Sequence, residues 1–81
     1  MMITTRTVDE LYEGFRIFVF VLPQGDDQWL ATSEVEREGA EGIEVFQKFG
    51  GPCQGRTAEE ARLAVLADTR HKIDNVLAKP C

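Results

Sequence analysis

The stretch that decides the fold is Phe15-Arg16-Ile17-Phe18-Val19-Phe20-Val21-Leu22. It is crowded with β-branched and aromatic residues, which predicts a β-strand. Successive side chains of a strand point to opposite faces. Phe15, Ile17, Val19 and Val21 therefore share one face, and Phe18, Phe20 and Leu22 share the other beside Arg16. A sheet covered on one side alternates apolar and polar residues. This strand is apolar on both sides, so it sits inside a sheet and asks for cover above and below.

Outward from it, Glu13-Gly14 reads as a tight hairpin turn after a short edge strand, Thr7 to Tyr12. Pro23 to Asp27 is a turn by composition, and Gln28 to Arg37 is a second long strand. Glu38 to Gly42 turns again, Ile43 to Phe49 is a further strand, and Gly50 to Arg56 reads as a loop. In that last strand Phe46 has the opposite parity to Ile43 and Val45. Thr57 and Glu60 make a T-x-x-E capping box, in which each side chain satisfies a free backbone N–H. Ala58, Ala61, Val65, Thr69, Ile73 and Val76 recur at helical spacing, predicting a helix from about residue 58 to 77 with this stripe buried. Leu63 belongs to no such stripe, and Pro80 prevents further helix. The order β-β-β-β-α with short turns implies an α+β fold. It is an antiparallel meander of three to four strands with one C-terminal helix packed on one face.

At 81 residues the chain, 1–81, is one small domain. With 43% hydrophobic and 28% charged residues it is neither disordered nor collagen-like. Its longest apolar run, Ile17 to Leu22, is far too short to cross a bilayer. A chain this short buries only about 60% of its unfolded surface, so the core is small. Net charge is −5, with 10 acids and 4 bases in residues 1–55 and 4 acids and 5 bases in residues 56–81. Affinity for nucleic acid rests on neutralising phosphates, so this balance disfavours it. Stacked bases on sheet aromatics are disfavoured too, because the neighbours on the same strands are Glu34, Glu36 and Glu44. Residues 1–9 contain no apolar segment of a secretory signal, so a cytoplasmic location and free thiols at Cys53 and Cys81 are expected. A helix of roughly 30 Å between the two cysteines separates them beyond disulfide reach unless the tail folds back.

Several constellations invite chemistry. Gly50-Gly51-Pro52-Cys53-Gln54-Gly55-Arg56-Thr57 fits G-x-x-x-x-G-[KR]-T between a strand and a helix, close to a phosphate-binding loop. Arg56 replaces the lysine, Glu59 and Glu60 compete with an anion for the helix dipole, and no parallel sheet follows. Weak anion binding at Gly55, Arg56 and Thr57 is the most this segment supports. Cys53 near a helix N-terminus has scope for a lowered pKa. Its only histidine, His71, is roughly 20 Å away along the helix, too far for a catalytic dyad. Asp68, His71 and Asn75 share a helix face but lack the second histidine or cysteine of a zinc site. Neither a catalytic residue, a metal nor a cofactor is expected.

Pro52-Cys53, Gly55, Thr57 and Glu59-Glu60-Ala61, with the alanine-rich helix after them and the strand start Trp29-Leu30-Ala31, resemble the HicB-type antitoxin domain. The resemblance covers roughly residues 29–77, with one more strand, Ile43 to Phe49, than that family has between the tryptophan and the loop. It implies a small antiparallel sheet with a helix, binding and blocking a toxin ribonuclease. The Tyr12-x-Gly14-Phe15 hairpin, followed by Trp29 and a glycine-rich run before the cap, is similar to small proteobacterial domains of unknown function over most of the chain. That similarity implies no activity.

What the single helix leaves uncovered is the second sheet face. Either the N-terminal segment or the 50–56 loop folds over it, or Phe18, Phe20 and Phe46, with Leu63 on the helix, form a contact surface. The expected role is a non-catalytic interaction domain acting on a second copy of itself or on another protein.

Overall fold

The structure, a computed structural model, describes residues 8–77. Expectations that fall on Thr7, on the N-terminal segment as a cover, and on Pro80 and Cys81 lie outside those residues. Four antiparallel strands run in sequence order: β1 (Glu10–Tyr12), β2 (Phe15–Gly25), β3 (Gln28–Gly39) and β4 (Gly42–Gly55). Helix α1 (Ala58–Lys72) follows and continues as a π-helical turn, Ile73–Leu77. The α+β meander with one helix is therefore the architecture.

Register follows from the turns. Tyr12 lies opposite Phe15, Ile17 opposite Val35, and Val35 opposite Phe46. Facing residues share a side of the sheet, so Ile17, Val35 and Phe46 all point toward α1. The core has two parts. Phe15, Ile17, Val35, Leu66 and Ile73 form one cluster, and Ala31, Ala61 and Val65 the other, with Val19 packed against both. Fully buried side chains such as Ile17, Val35 and Ile73 contribute roughly 1.5–3 kcal/mol each.

Ser33 and Thr69 are also wholly buried between sheet and helix, their hydroxyl oxygens 2.6 Å apart. Thr69 Oγ1 donates to the Val65 carbonyl at 2.6 Å. A threonine hydroxyl has one proton, so Ser33 is the donor to Thr69. Among the described residues no buried side-chain polar atom lacks a partner.

Edge strand β1 is only three residues long and is held by polar side chains. Asp9 accepts the Val19 N–H at 2.8 Å and lies 3.5 Å from Arg62. Glu10 takes Arg70 at 2.7 and 2.8 Å, and the Tyr12 hydroxyl donates to Asp74 at 2.8–2.9 Å.

Two sequence expectations change. Residues 50–55 are not a loop but the second half of β4, paired with β3 from Gly50 opposite Ser33 to Gly55 opposite Trp29. They therefore do not fold across the far side of the sheet. The glycines there serve close approach: a Cβ on Gly50 would overlap the Ser33 and Thr69 hydroxyls, and one on Gly55 would overlap the backbone of Ala61. Val76 is 66% exposed and not buried, while Leu66 joins the core and Leu77 packs against it. The π-helical turn widens the spiral and rotates this last stripe position outward.

Candidate functional site

The face of the sheet away from α1 gathers most of the exposed apolar surface. Among the described residues, seven large apolar side chains are exposed: Leu11, Phe20, Leu22, Ile43, Val45, Leu63 and Val76. The first five lie on this one face. Leu11 stands opposite Arg16, Arg16 opposite Glu36, and Glu36 opposite Val45, forming one row across all four strands. Further along, Phe18 faces Glu34, Phe20 faces Thr32, and Leu22 faces Leu30. At the far end Ile43 faces Glu38.

The face is therefore banded. Alternate residues of β3 place Glu34, Glu36 and Glu38 in a line. Phe18, Phe20 and Leu22 of β2 flank that line on one side, and Ile43 and Val45 of β4 on the other. Arg16 lies 3.6 Å from both Glu36 and Glu38. Phe18 is only 6% exposed and Glu34 is buried, whereas Phe20 is 46% and Leu22 59% exposed. The accessible apolar part is thus at the two ends of the face, around Phe20 and Leu22 and around Ile43 and Val45.

The four contact residues expected from sequence do not come together. Phe18 and Phe20 are on the open face as expected. Phe46 is on the opposite side, half-buried against the core cluster and 6.0 Å from the Phe49 ring. The Arg37 guanidinium lies over both Phe46 and Phe15, at 5.5 Å from each ring. Strand parity explains the change. Once Val35 faces Phe46, it is Ile43 and Val45 that take the open side. Leu63 is 53% exposed but on the outer surface of α1, with the helix and sheet between it and Phe20. Leu11, Leu22, Ile43 and Val45 are the residues this surface adds. Their signal in the sequence was the i, i+2 repeat of Ile43 and Val45, legible only with the register in hand.

The 50–57 segment has a different character from an anion cradle. Thr57 caps α1 by accepting the Glu60 N–H at 3.0 Å, and Glu60 accepts the Arg56 N–H at 3.2 Å. Glu60 thus reaches the N–H before the cap and not that of Thr57, so only the Thr57 half of the expected box is formed, and both donors are still committed within the chain. Gly55 and Arg56 border a cleft of about 460 Å³ with Gln24, Trp29, Gln54 and Glu60. Carboxylates of Glu59 and Glu60 fill the first helical turn, where an anion would have to sit.

Cys53 is half-buried opposite Ala31. Burial first, and then the Asp68 carboxylate, push its thiol above the usual range, while Lys72 acts weakly the other way. This is the reverse of activation by a helix N-terminus, and burial is its main cause. Asp68 itself accepts the Gly51 N–H at 2.8 Å and pairs with Lys72 at 3.0 Å. The Gly51 N–H chiefly, then Lys72, hold its carboxyl below the ordinary range. On the same helix, Asn75 donates to the His71 carbonyl at 2.7 Å. Among the described residues no three histidine, cysteine or acidic side chains cluster as metal ligands. Nor is any of their helices long and apolar enough to cross a membrane.

No protein-family model matches the chain, and comparisons with curated proteins and with solved structures give no match.

Proposed function

We propose that the protein is a non-catalytic binding domain that docks a protein, a second copy or a different chain, on its open sheet face. One observation carries this reading: five of the seven exposed large apolar side chains of the described residues share that face. Large apolar side chains left exposed together on one face of a small protein mark contact sites. The helix side already has its partner in the chain's own core, so the sheet's other side is where an external partner adds most. The setting this reading assumes is the cytoplasm, where Cys53 stays a thiol.

The test is site-specific photo-crosslinking in the cell of origin. A photoreactive side chain replaces Leu22 or Val45 on the face, or Leu63 on the outer helix surface as a control. Discrete crosslinked products from Leu22 and Val45 but not from Leu63 are expected. Equal products from all three positions, or none from the two face positions, would sink the proposal.

A further inference from the structure

We infer that the cleft at the Trp29 end of the sheet binds a neutral sugar, an inference that stands whether or not the open face docks a protein. The cleft, about 460 Å³, lies where the β2–β3 turn, the end of β4 and the start of α1 meet. That volume falls in the usual range of small-molecule sites, about 300–1,000 Å³. Trp29, the only tryptophan of the chain, lines it. The ring is half-buried and packed against the cluster of Ala31, Ala61 and Val65. It is thus held in place, with part of its surface left to the cleft. Its partner position on β4 is Gly55, so no side chain from there covers the ring.

Around the indole the cleft is polar. Gln24, Gln28 and Gln54 border it, and among the described residues none of these three amides has a hydrogen bond within the chain. Gln24 reaches the cleft through a β-bulge: Pro23 pairs with Trp29 and Gly25 with Gln28, leaving Gln24 as the extra residue of β2. Bulges of this kind re-aim a side chain and are common beside functional sites. Arg56 is a fourth group in the lining. Of the five arginines among the described residues, Arg16, Arg37, Arg62 and Arg70 are ion-paired and Arg56 is not. Asp27 and Glu60 add two carboxylates.

This mixture selects the ligand. The two carboxylates oppose an anion and the guanidinium opposes a cation. An apolar ligand would strip water from the amides and leave them unpaired. A sugar hydroxyl both donates and accepts, and so does each glutamine amide, while Arg56 adds donors and the carboxylates add acceptors. A pyranose ring also presents a face of C–H groups, which the negative face of an aromatic ring attracts. A neutral sugar therefore uses the indole, the amides and both signs of charge together.

The experiment titrates the full chain with methyl β-glucoside, methyl β-galactoside, N-acetylglucosamine and cellobiose, followed by amide shifts and by the fluorescence of Trp29. Adenosine and inorganic phosphate are run beside them. At least one sugar should alter the Trp29 emission and shift amides of residues 24–30 and 54–56, with millimolar affinity. Gln54→Ala and Arg56→Ala, both at exposed positions, should leave the other amides in place and each weaken that sugar about fivefold. No shift from any of the sugars at tens of millimolar, or a sugar whose affinity both variants leave unchanged, overturns the inference. So does adenosine or phosphate moving the same amides more strongly than every sugar, which would assign the cleft to a base or an anion instead.

Discussion

Thr69 has one proton and two neighbours that want it, and this sets an order on what its loss should do. Because Thr69 donates to the Val65 carbonyl, Ser33 must donate to Thr69. Thr69→Val would leave the Ser33 hydroxyl buried without an acceptor, costing about 1–3 kcal/mol. Ser33→Ala removes a donor and leaves Thr69 bonded to Val65, so its cost should be the smaller. Urea denaturation of the two variants tests the order; equal or reversed losses would contradict the assigned direction. The helical spacing of Thr69 was readable in the sequence, but its partner was not. Nothing in a list of residues tells which strand hydroxyl will meet it. A second single-residue test uses Tyr12, the only tyrosine in the chain. Its hydrogen bond to Asp74 raises the phenol above its ordinary value, because ionising the phenol would set two anions side by side. Following tyrosinate absorbance against pH, Asp74→Asn should move the transition down toward about 10.

Among the elements, β2, β3 and α1 with its cap were legible because their signals are local: β-branched runs, turn residues and a capping box. The second half of β4 was not. Its Gly50-Gly51-Pro52 composition reads as a loop, yet the glycines are where sheet and helix approach too closely for a side chain. That requirement is tertiary and has no local signature. The same strand's register shifts, between Ala31 and Ser33 and between Ser33 and Val35, lie beyond Phe46; the side of Phe46 is fixed by the unbroken register from the Gly39–Gly42 turn, which only the pairing reveals. At this edge the Asp68 carboxylate holds the Gly51 N–H, joining β4 to α1 and closing a donor that another strand would otherwise pair with. Since the folded state lowers the Asp68 pKa, its contribution is complete above the unfolded value near 3.9 and drains away as pH falls through the lowered one. Asp68→Asn should cost about 1 kcal/mol at neutral pH. In chemical denaturation the gap between wild type and variant should narrow in acid. A gap independent of pH would show that the carboxylate charge plays no part.

For the molecule as a whole, the excess of apolar surface over what one helix can cover was evident from Phe15 to Leu22 alone. The structure moves that excess to the ends of the open face, since Phe18 is buried and Leu22 is not. If the open face is a contact surface, its exposed side chains should be replaceable at little cost to the fold. Leu22→Ser is expected to change stability by no more than about 0.5 kcal/mol, as read from the urea midpoint. A loss of 2 kcal/mol or so would make Leu22 part of the core instead.

The side chains that tie β1 to α1 join residues 60 and 62 positions apart in the chain. Such distant closures come late, since the intervening chain must be ordered before they can form. Releasing the helix would strip the first strand of these ties and leave it only its pairing with β2 and the bonds of Asp9 to Ile17 and Val19. Trp29 and Tyr12, each the sole residue of its kind, sit in regions of the sheet that would report separately if the molecule came apart in stages. Their denaturation curves should superimpose, so that a cell would meet this protein either whole or not folded at all.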